Sequence, residues 1–403
     1  MIPPDRIEEI LEALEIDRAD PSPGYLEALF SRFNQRVLFE SASKIVRDSE
    51  IADPAEKPRW PEVFWADHID SGAGGTCFAR VAAFRALIAA LGFDCRPVLG
   101  RVQEDFDHAA VLVESGGERW ICDVGFPLPA LLPTREGETE TASSTVAVAR
   151  APRGFSVELL DGVPEGPRSL EIFEADVPEE EFRAKWRSTF QRRTKFLTSV
   201  SIRVERPGRN VSFAAGEIRV DDRHSRTRIP LAAPRAAALG EQFGVDAGLL
   251  DRAFSLAGNP EPSISAAEIT AYLETAASPR DAFSAIGTRE AYIEFQSGAG
   301  RAAAEELSGG EWRVRLSPEE TKDESAVVEE TVTPDPEALG LRIRRGAQES
   351  AYEVSVRNGR TFLLRRLVLS GPRLDLLRND SLRGRLAGSL AVDLLAWARR
   401  IGR

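Results

Sequence analysis

The chain reads as a multidomain α+β protein, and three observations predict this. Apolar residues recur at helical spacing up to Gly92, short β-rich segments begin at Arg96, and a loop of linker composition near Gly258 separates two differently organised parts. At 403 residues, and with roughly 100 to 200 residues per domain, two or three domains are expected. A hydrophobic fraction of 42% is enough to fill their cores.

Ile7, Ile10, Leu11 and Leu14 follow the i, i+3, i+4, i+7 pattern, and Pro21-Ser22-Pro23-Gly24 breaks the chain before a second helix from Tyr25. Phe78, Val81, Phe84, Ile88 and Leu91 mark one face of a further helix that Gly92 is placed to cap. Strands are expected at 96–101, 108–114, 119–124, 155–160, 199–205 and 211–220, then one helix from Pro234 to about Leu256. After the linker 257–263, a strand is expected at 269–275 and a short helix at 279–286. Strands around Ala291, Trp312, Val327, Leu341, Tyr352 and Phe362 follow, and a long helix from about Leu382 to Ile401 closes the chain. Asn358-Gly359 between alternating apolar residues is a two-residue hairpin signal.

Charge narrows the function. Sixty-four acidic side chains against 52 basic ones leave a formal net charge of −12, which argues against gripping a nucleic-acid backbone. The acidic, helix-patterned start does not resemble a secretory signal, and no apolar run is long enough to span a bilayer, so no membrane partner is expected. Three cysteines without a Cys-x-x-Cys pair, and three histidines, suit neither a disulfide scaffold nor a metal cluster. The expectation is a reduced, cytoplasmic protein without a metal.

Few Cys/His pairs are then available. Cys77 follows Gly72-Ala73-Gly74-Gly75-Thr76 and precedes a helix, so backbone N–H groups and the helix N-terminus favour a thiolate there. A buried structural cysteine behind a glycine turn is the plainer alternative. His108 and Asp123 flank a turn at Ser115-Gly116-Gly117. One hairpin register sets them opposite each other, a second makes them a same-face diagonal pair, and the register between puts them on opposite faces. In contact, Asp123 would orient the imidazole of a Cys-His-Asp set. Cys122 points to the opposite face and reads as core, as does Cys95; His68 reads as a surface or capping residue, and His224 as turn chemistry.

These segments resemble the arylamine N-acetyltransferases, whose nucleophile motif Arg-Gly-Gly-x-Cys-Phe/Tyr-Glu compares with Ala73-Gly74-Gly75-Thr76-Cys77-Phe78-Ala79. The family's histidine strand and Asp-Val-Gly-Phe segment compare with Asp107-His108-Ala109-Ala110-Val111 and Asp123-Val124-Gly125-Phe126. Weaker likeness reaches Leu38-Phe39-Glu40-Ser41, Ser188-Thr189 with Phe196, and Phe243-Gly244-Val245. The resemblance covers roughly residues 5 to 256. It implies a helical bundle (1–92), a β-barrel (93–190) and an α/β lid (191–256), with Cys77 as nucleophile, His108 as base and Asp123 as orienter.

It also implies acetyl-CoA or another acyl-CoA as donor and a small amine, hydrazine or hydroxylamine as acceptor, in ping-pong order. Arg187, Arg192, Arg193 and Lys195 form a basic stretch that could meet coenzyme A phosphates, or simply a solvated face. The departures at Ala73, Ala79, Val81 and Pro127 surround the nucleophile. Some relatives are amide synthases acting on a carrier-bound polyketide chain, which is an alternative, as is a noncatalytic binding protein. Residues 264–403 resemble, in element order, the START-like and polyketide-cyclase helix-grip domains, which implies a possible hydrophobic ligand. Tyr292, Phe295, Trp312 and Tyr352 are candidates either for its pocket or for the core.

Overall fold

The computed structural model describes residues 2–401 except positions 127, 129, 142, 161–168, 192–193, 259, 297–300, 308–309, 318–327, 346–347, 358–359 and 370–379. The chain divides into two units. The first comprises residues 1–223 and 231–263, and the second 224–230 and 264–403.

The first unit opens with helices α1 (Pro4–Ala13) and α2 (Pro23–Arg36), strand β1 (Phe39–Glu40), and helices α3 (Ala42–Glu50), α4 (Pro61–Ser71) and α5 (Cys77–Ala90). Proline in the first turn starts α1, α2 and α4, where its missing N–H costs nothing, and the Ser22 hydroxyl accepts from the Tyr25 N–H at 3.2 Å. Ile10, Leu11, Leu26, Leu29, Phe30, Phe33, Phe64 and Trp65 close around α5. That helix is buried well beyond the single face its periodicity suggests, with Ala79, Arg80, Ala82 and Ala83 also inside. Small alanines let neighbouring elements approach on every side. Gly92, at φ 94°, ends it, and the Phe93 N–H returns to the Ile88 carbonyl at 3.0 Å.

Strands β2 (Asp94–Arg101), β3 (Asp105–Ser115), β4 (Glu118–Cys122), β5 (Leu132–Pro133), β6 (Gly137–Glu140), β7 (Thr145–Ala151), β8 (Gly154–Leu159) and β9 (Ser169–Phe173) form an antiparallel sheet in the order β5-β4-β3-β2-β9-β8-β7-β6. Strand β3 is buried on both faces. Ala110 and Leu112 join Val98, Ile121, Val146, Phe155 and Ile172 inside the sheet, whereas Ala109, Val111 and Val113 pack with α5 in the helical core. Alternation along this one strand therefore joins the two cores.

Helices α6 (Glu179–Ser188) and α7 (Lys195–Thr198) lead to strands β10 (Ile202–Arg206), β11 (Arg209–Ala214) and β12 (Glu217–Asp221), and β1 pairs with β10. The single strand expected at 211–220 is in fact the β11–β12 hairpin, turned at Ala215 (φ 50°) and Gly216 (φ 78°). Two consecutive residues of positive φ match the right-handed twist of a hairpin. Strand β13 (Ser225–Pro230) belongs to the second unit. The helix expected from Pro234 to Leu256 is two, α8 (Ala236–Phe243) and α9 (Ala247–Ala257), broken where Gly244 turns left-handed at φ 74°. Asp246 restarts the chain by accepting from the Leu249 N–H at 2.7 Å.

The second unit continues with β14 (Ala267–Thr275), α10 (Pro279–Ser284), α11 (Arg289–Gln296), β15 (Arg301–Glu306), β16 (Trp312–Ser317), β17 (Val328–Asp335), β18 (Gly340–Arg345), β19 (Gln348–Arg357), β20 (Arg360–Leu369) and α12 (Asp380–Ile401). Its strands are antiparallel in the order β13-β14-β20-β19-β18-β17-β16-β15. The strand expected around Ala291 is helix α11, because Thr288 caps it and only Tyr292 of its residues is buried. Residues 358–359 lie outside the described residues, but β19 and β20 pair with Arg357 opposite Arg360.

Helix α12 packs on β14 and β20, and Leu390, Leu394 and Trp397 form its buried stripe. Tyr292, Trp312 and Tyr352 are themselves buried, with the Tyr292 ring tilted against Trp312 and edge-on to Tyr352, and the Tyr292 hydroxyl donates to buried Glu330 at 3.0 Å. The Trp397 indole is fully buried, stands 5.6 Å from Tyr352, and donates to the Ala282 carbonyl at 2.9 Å. Trp397→Ala should therefore destabilise the second unit by about 3–5 kcal/mol, read as an earlier urea transition of the full chain. An unchanged transition would contradict this packing.

Candidate active site

The loop before α5 is stitched into place from one side. The Gly75 N–H donates to the Leu38 carbonyl at 3.1 Å and the Glu40 N–H to the Gly75 carbonyl at 3.2 Å, so β1 holds the loop as a neighbouring strand would. A Cβ on Gly74 would lie 1.8 Å from the Leu38 oxygen, so only glycine fits there. Arg59, 4% exposed, donates to the Gly74 carbonyl, lies 3.6 Å from Glu40 and 3.2 Å from Asp67, and covers the Phe64 ring. Glu40 in turn accepts from the Ser43 N–H at 2.9 Å. A buried guanidinium thus serves this loop although Ala73 occupies the family's arginine position. Nothing local in Lys57-Pro58-Arg59-Trp60 announces that role.

Across the site, Val111 pairs with Cys122 and Leu112 with Ile121. That register makes His108 and Asp123 the same-face diagonal pair, one of the three arrangements the sequence left open. His108 Nε2 and Asp123 Oδ2 are 2.7 Å apart, and the side chains are 4% and 0% exposed. Asp123 Oδ1 accepts from the N–H groups of Gly125 at 2.9 Å and Phe126 at 2.8 Å, which fixes the carboxylate plane. With Nε2 committed to Asp123, Nδ1 is the ring nitrogen left for Cys77.

Burial disfavours the charged imidazole, but the Asp123 charge and hydrogen bond, and the hydrogen bond to Cys77, outweigh it and raise the His108 pKa to about 10. The balance favours the protonated ring. Gly125 leaves room for Cys77 and His108 to approach the same point of the backbone, where a Cβ would meet Cys77 Cβ at 2.7 Å and His108 Cε1 at 3.1 Å. On the strand side, the Asp107 carboxylate gathers the N–H groups of Val102, Gln103 and Glu104, and its carbonyl lies 4.0 Å from Cys77 Sγ.

Arg80 ties the two halves together. Its guanidinium, 3% exposed, donates to the Val124 carbonyl at 2.5 Å, to Asn34 Oδ1 at 2.7 Å and to the Val37 carbonyl, and it lies over the Phe33 ring. Sequence reading passes over it, because an arginine three residues after Cys77 shows none of its distant partners.

The other sequence candidates fall apart from this cluster. Arg187 is paired with Glu180 at 2.6 Å, Lys195 lies 5.0 Å from the Phe196 ring, and Arg192 and Arg193 lie outside the described residues, as does Pro127. Cys122 is fully buried and Cys95 half-buried; burial pushes the Cys95 thiol up to about 11 and that of Cys122 well above the ordinary value. His68 is buried rather than at the surface. Packed beside Trp65 and bonded to the Ala73 carbonyl at 3.3 Å, it is driven down to about 4, mainly by burial. Among the described residues, no cluster of three or more His, Cys, Asp or Glu could hold a metal, and no helix is long and apolar enough to cross a membrane.

Residues 25–152 match the family model described as N-acetyltransferase, and all three clustered residues lie within that span. Two curated relatives match locally. Proansamycin X synthase of Amycolatopsis mediterranei is 35% identical over 68 residues, 15% of this chain and 26% of the relative. Arylamine N-acetyltransferase of Escherichia coli is 32% identical over 108 residues, 25% of this chain and 36% of the relative. The chain thus spans about a quarter to a third of the length of these relatives. Among solved structures, Mycobacterium marinum arylamine N-acetyltransferase in complex with CoA superposes with a TM-score of 0.53 over 62% of this chain and 99% of that one, at 18% identity.

Residues 25–152 are thus similar to the N-acetyltransferase family, and the chain shares the fold of the arylamine N-acetyltransferases. Within that region, the glycine at 125 separates catalytic geometry from folding. Gly125→Ala should leave the melting profile recognisable yet cut the reaction of Cys77 with iodoacetamide about 10- to 100-fold, since displacement by an ångström can cost that much. In the unaltered chain Cys77 should be labelled well before Cys95 or Cys122, read by peptide mass. Equal labelling of all three thiols would contradict the site.

Proposed function

We propose that the protein is a cysteine acyltransferase that moves an acyl group from an acyl-CoA thioester to a small amine, hydrazine or hydroxylamine in ping-pong order. The observation that carries this reading is the Cys77–His108–Asp123 cluster at the start of α5, inside the span that matches the N-acetyltransferase family. The local identity with an arylamine N-acetyltransferase, and the fold shared with one solved with CoA, support the choice of donor and acceptor.

In the first half-reaction the Cys77 sulfur attacks the thioester carbonyl, and the C–S bond to coenzyme A breaks. His108 gives its proton to the departing thiolate, and the acyl group remains on Cys77 as a new thioester. Exchange of one thioester for another is nearly balanced in energy. In the second half-reaction the amine nitrogen attacks that carbonyl, His108 takes the nitrogen's proton, the C–N bond forms and Cys77 leaves. Asp123 orients the ring and stabilises the imidazolium whenever it is present. Thr76 leaves the first turn of α5 without a side-chain cap, so its free N–H groups are available to the developing oxyanion.

The local identity with Proansamycin X synthase favours a second reading, in which the same cysteine accepts a carrier-bound polyketide chain and an amine of that chain releases it as an amide. For the second unit, the antiparallel sheet covered by α12 supports a START-like helix-grip assignment, with a hydrophobic ligand as its candidate partner. Three free thiols suit a reducing compartment such as the cytoplasm.

Incubation with acetyl-CoA and longer acyl-CoAs, followed by an acid quench, should give a mass adduct on the peptide of Cys77 that is absent in Cys77→Ala and lost when a competent amine is added. No adduct from any acyl-CoA, with Cys77 still open to alkylation, would move the reading to carrier-bound donors. An adduct on another residue would overturn the mechanism.

A further inference from the structure

Arg80 stands on α5, one turn after Cys77, between the apolar residues Ala79 and Val81. Its three nitrogens reach three different segments. Nε donates to the Val124 carbonyl at 2.5 Å, Nη2 to Asn34 Oδ1 on α2 at 2.7 Å, and Nη1 to the Val37 carbonyl just before β1. All three partners are neutral. Arg59 differs, since its guanidinium has Glu40 at 3.6 Å and Asp67 at 3.2 Å. A buried guanidinium keeps its proton and is costly without an anion, and an apolar side chain would fill the same space without that cost.

One peptide unit gives this cation its use. The carbonyl that Arg80 Nε holds, and the N–H that Gly125 donates to Asp123 Oδ1 at 2.9 Å, belong to the same planar peptide between Val124 and Gly125. Its orientation is therefore set from both ends. A donor on the carbonyl also polarises the amide and strengthens the bond its N–H makes. Asp123 is thus one peptide away from Arg80; burial works against the guanidinium charge, and Asp123 is the strongest influence in its favour. The other oxygen of that carboxylate, Oδ2, is 2.7 Å from His108 Nε2. Guanidinium, peptide, carboxylate and imidazole form one hydrogen-bonded line. Through Val37 the same guanidinium holds the strand whose next residue, Leu38, accepts the Gly75 N–H of the loop before Cys77 at 3.1 Å.

We propose that Arg80 is a positioning residue that acts through the 124–125 peptide: by gripping its carbonyl it keeps its N–H on Asp123, and so keeps the Asp123 carboxylate aimed at His108. This rests on the acyl-transfer reading for the role of Cys77 and adds to it the group that orients the orienter. The fork is what matters, since a point charge on a flexible stem cannot hold three segments in three directions.

The test needs no turnover. Arg80→Lys keeps the charge and loses the fork, so any change reports geometry. Nitrogen-15 NMR of the histidine-labelled full chain reads the titration of His108, the ring that Asp123, just after β4, and Cys77 of α5 both influence. In Arg80→Lys that titration should come down by about half a pH unit or more, and Cys77 should react with iodoacetamide about tenfold more slowly. Leu29→Ala, a cavity in the same helical core, should lower stability and move neither reading. An unchanged His108 titration in Arg80→Lys, or the same change in Leu29→Ala, would reduce Arg80 to packing and overturn the proposal. Should Arg80→Lys not fold, Asp123→Asn in arginine-labelled protein supplies the second measurement: the Arg80 Nε–H signal should shift, and a signal that stays in place would overturn the proposal. Failure of the acyl-transfer reading would appear separately, as absence of an acyl adduct on a Cys77 that still alkylates.

Discussion

A hydrogen bond between two buried ionisable groups, His108 and Asp123, is the constraint on which the rest of this site depends. A fully buried carboxylate is tolerable only when charge and hydrogen bonds surround it. Here the imidazole occupies one oxygen and the Gly125 and Phe126 N–H groups occupy the other. The same arrangement commits Nε2 and leaves Nδ1 as the ring nitrogen free of Asp123. Removing Asp123 would take away the charge that favours the imidazolium, and removing His108 would leave one carboxylate oxygen without its imidazole partner.

Much of the surrounding architecture brings Cys77 to that pair without crowding it. Strand β1 and the Arg59 guanidinium hold the glycine loop from one side, Arg80 links the helical core to the turn after Asp123, and Gly125 lets backbone replace side chain at the point of closest approach. Both arginines are buried and spend their donors on carbonyl oxygens or short polar side chains. Their fork geometry joins segments far apart in sequence, which a lysine at either position would do poorly. Lys44 is a further buried cation of the same unit, and among the described residues its ammonium bonds one hydroxyl and lies near one ring.

The parts legible in sequence were those governed by local spacing. A glycine loop before a helix, and two residues flanking a tight turn, are short-range facts, and the hairpin needed only its register to be resolved. Arg59, Arg80 and Lys44 were not legible, because their significance lies in partners from 15 to 145 positions away. The hairpin at Ala215-Gly216 was read as one strand because alanine seldom adopts positive φ, and the break at Gly244 was masked by helix-forming residues on both sides. Residues 224–230 lie before the linker in sequence yet pair along β14, from Ser225 opposite Ala271 to Arg228 opposite Glu268, a connection that composition does not reveal.

The central claim is that His108 is an imidazolium held by Asp123 beside Cys77, and nitrogen-15 NMR of histidine-labelled protein tests it most directly, since the chain has three histidines to assign. Both ring nitrogens of His108 should carry protons at pH 7.5, with titration only as the pH approaches 10, and Asp123→Asn should bring that titration down by at least one pH unit. The sign follows from the raised pKa: the stabilising charge is present below the ordinary histidine value and is lost as the pH rises through the folded one. A His108 that is neutral at pH 7.5, or whose titration is indifferent to Asp123→Asn, would contradict the account.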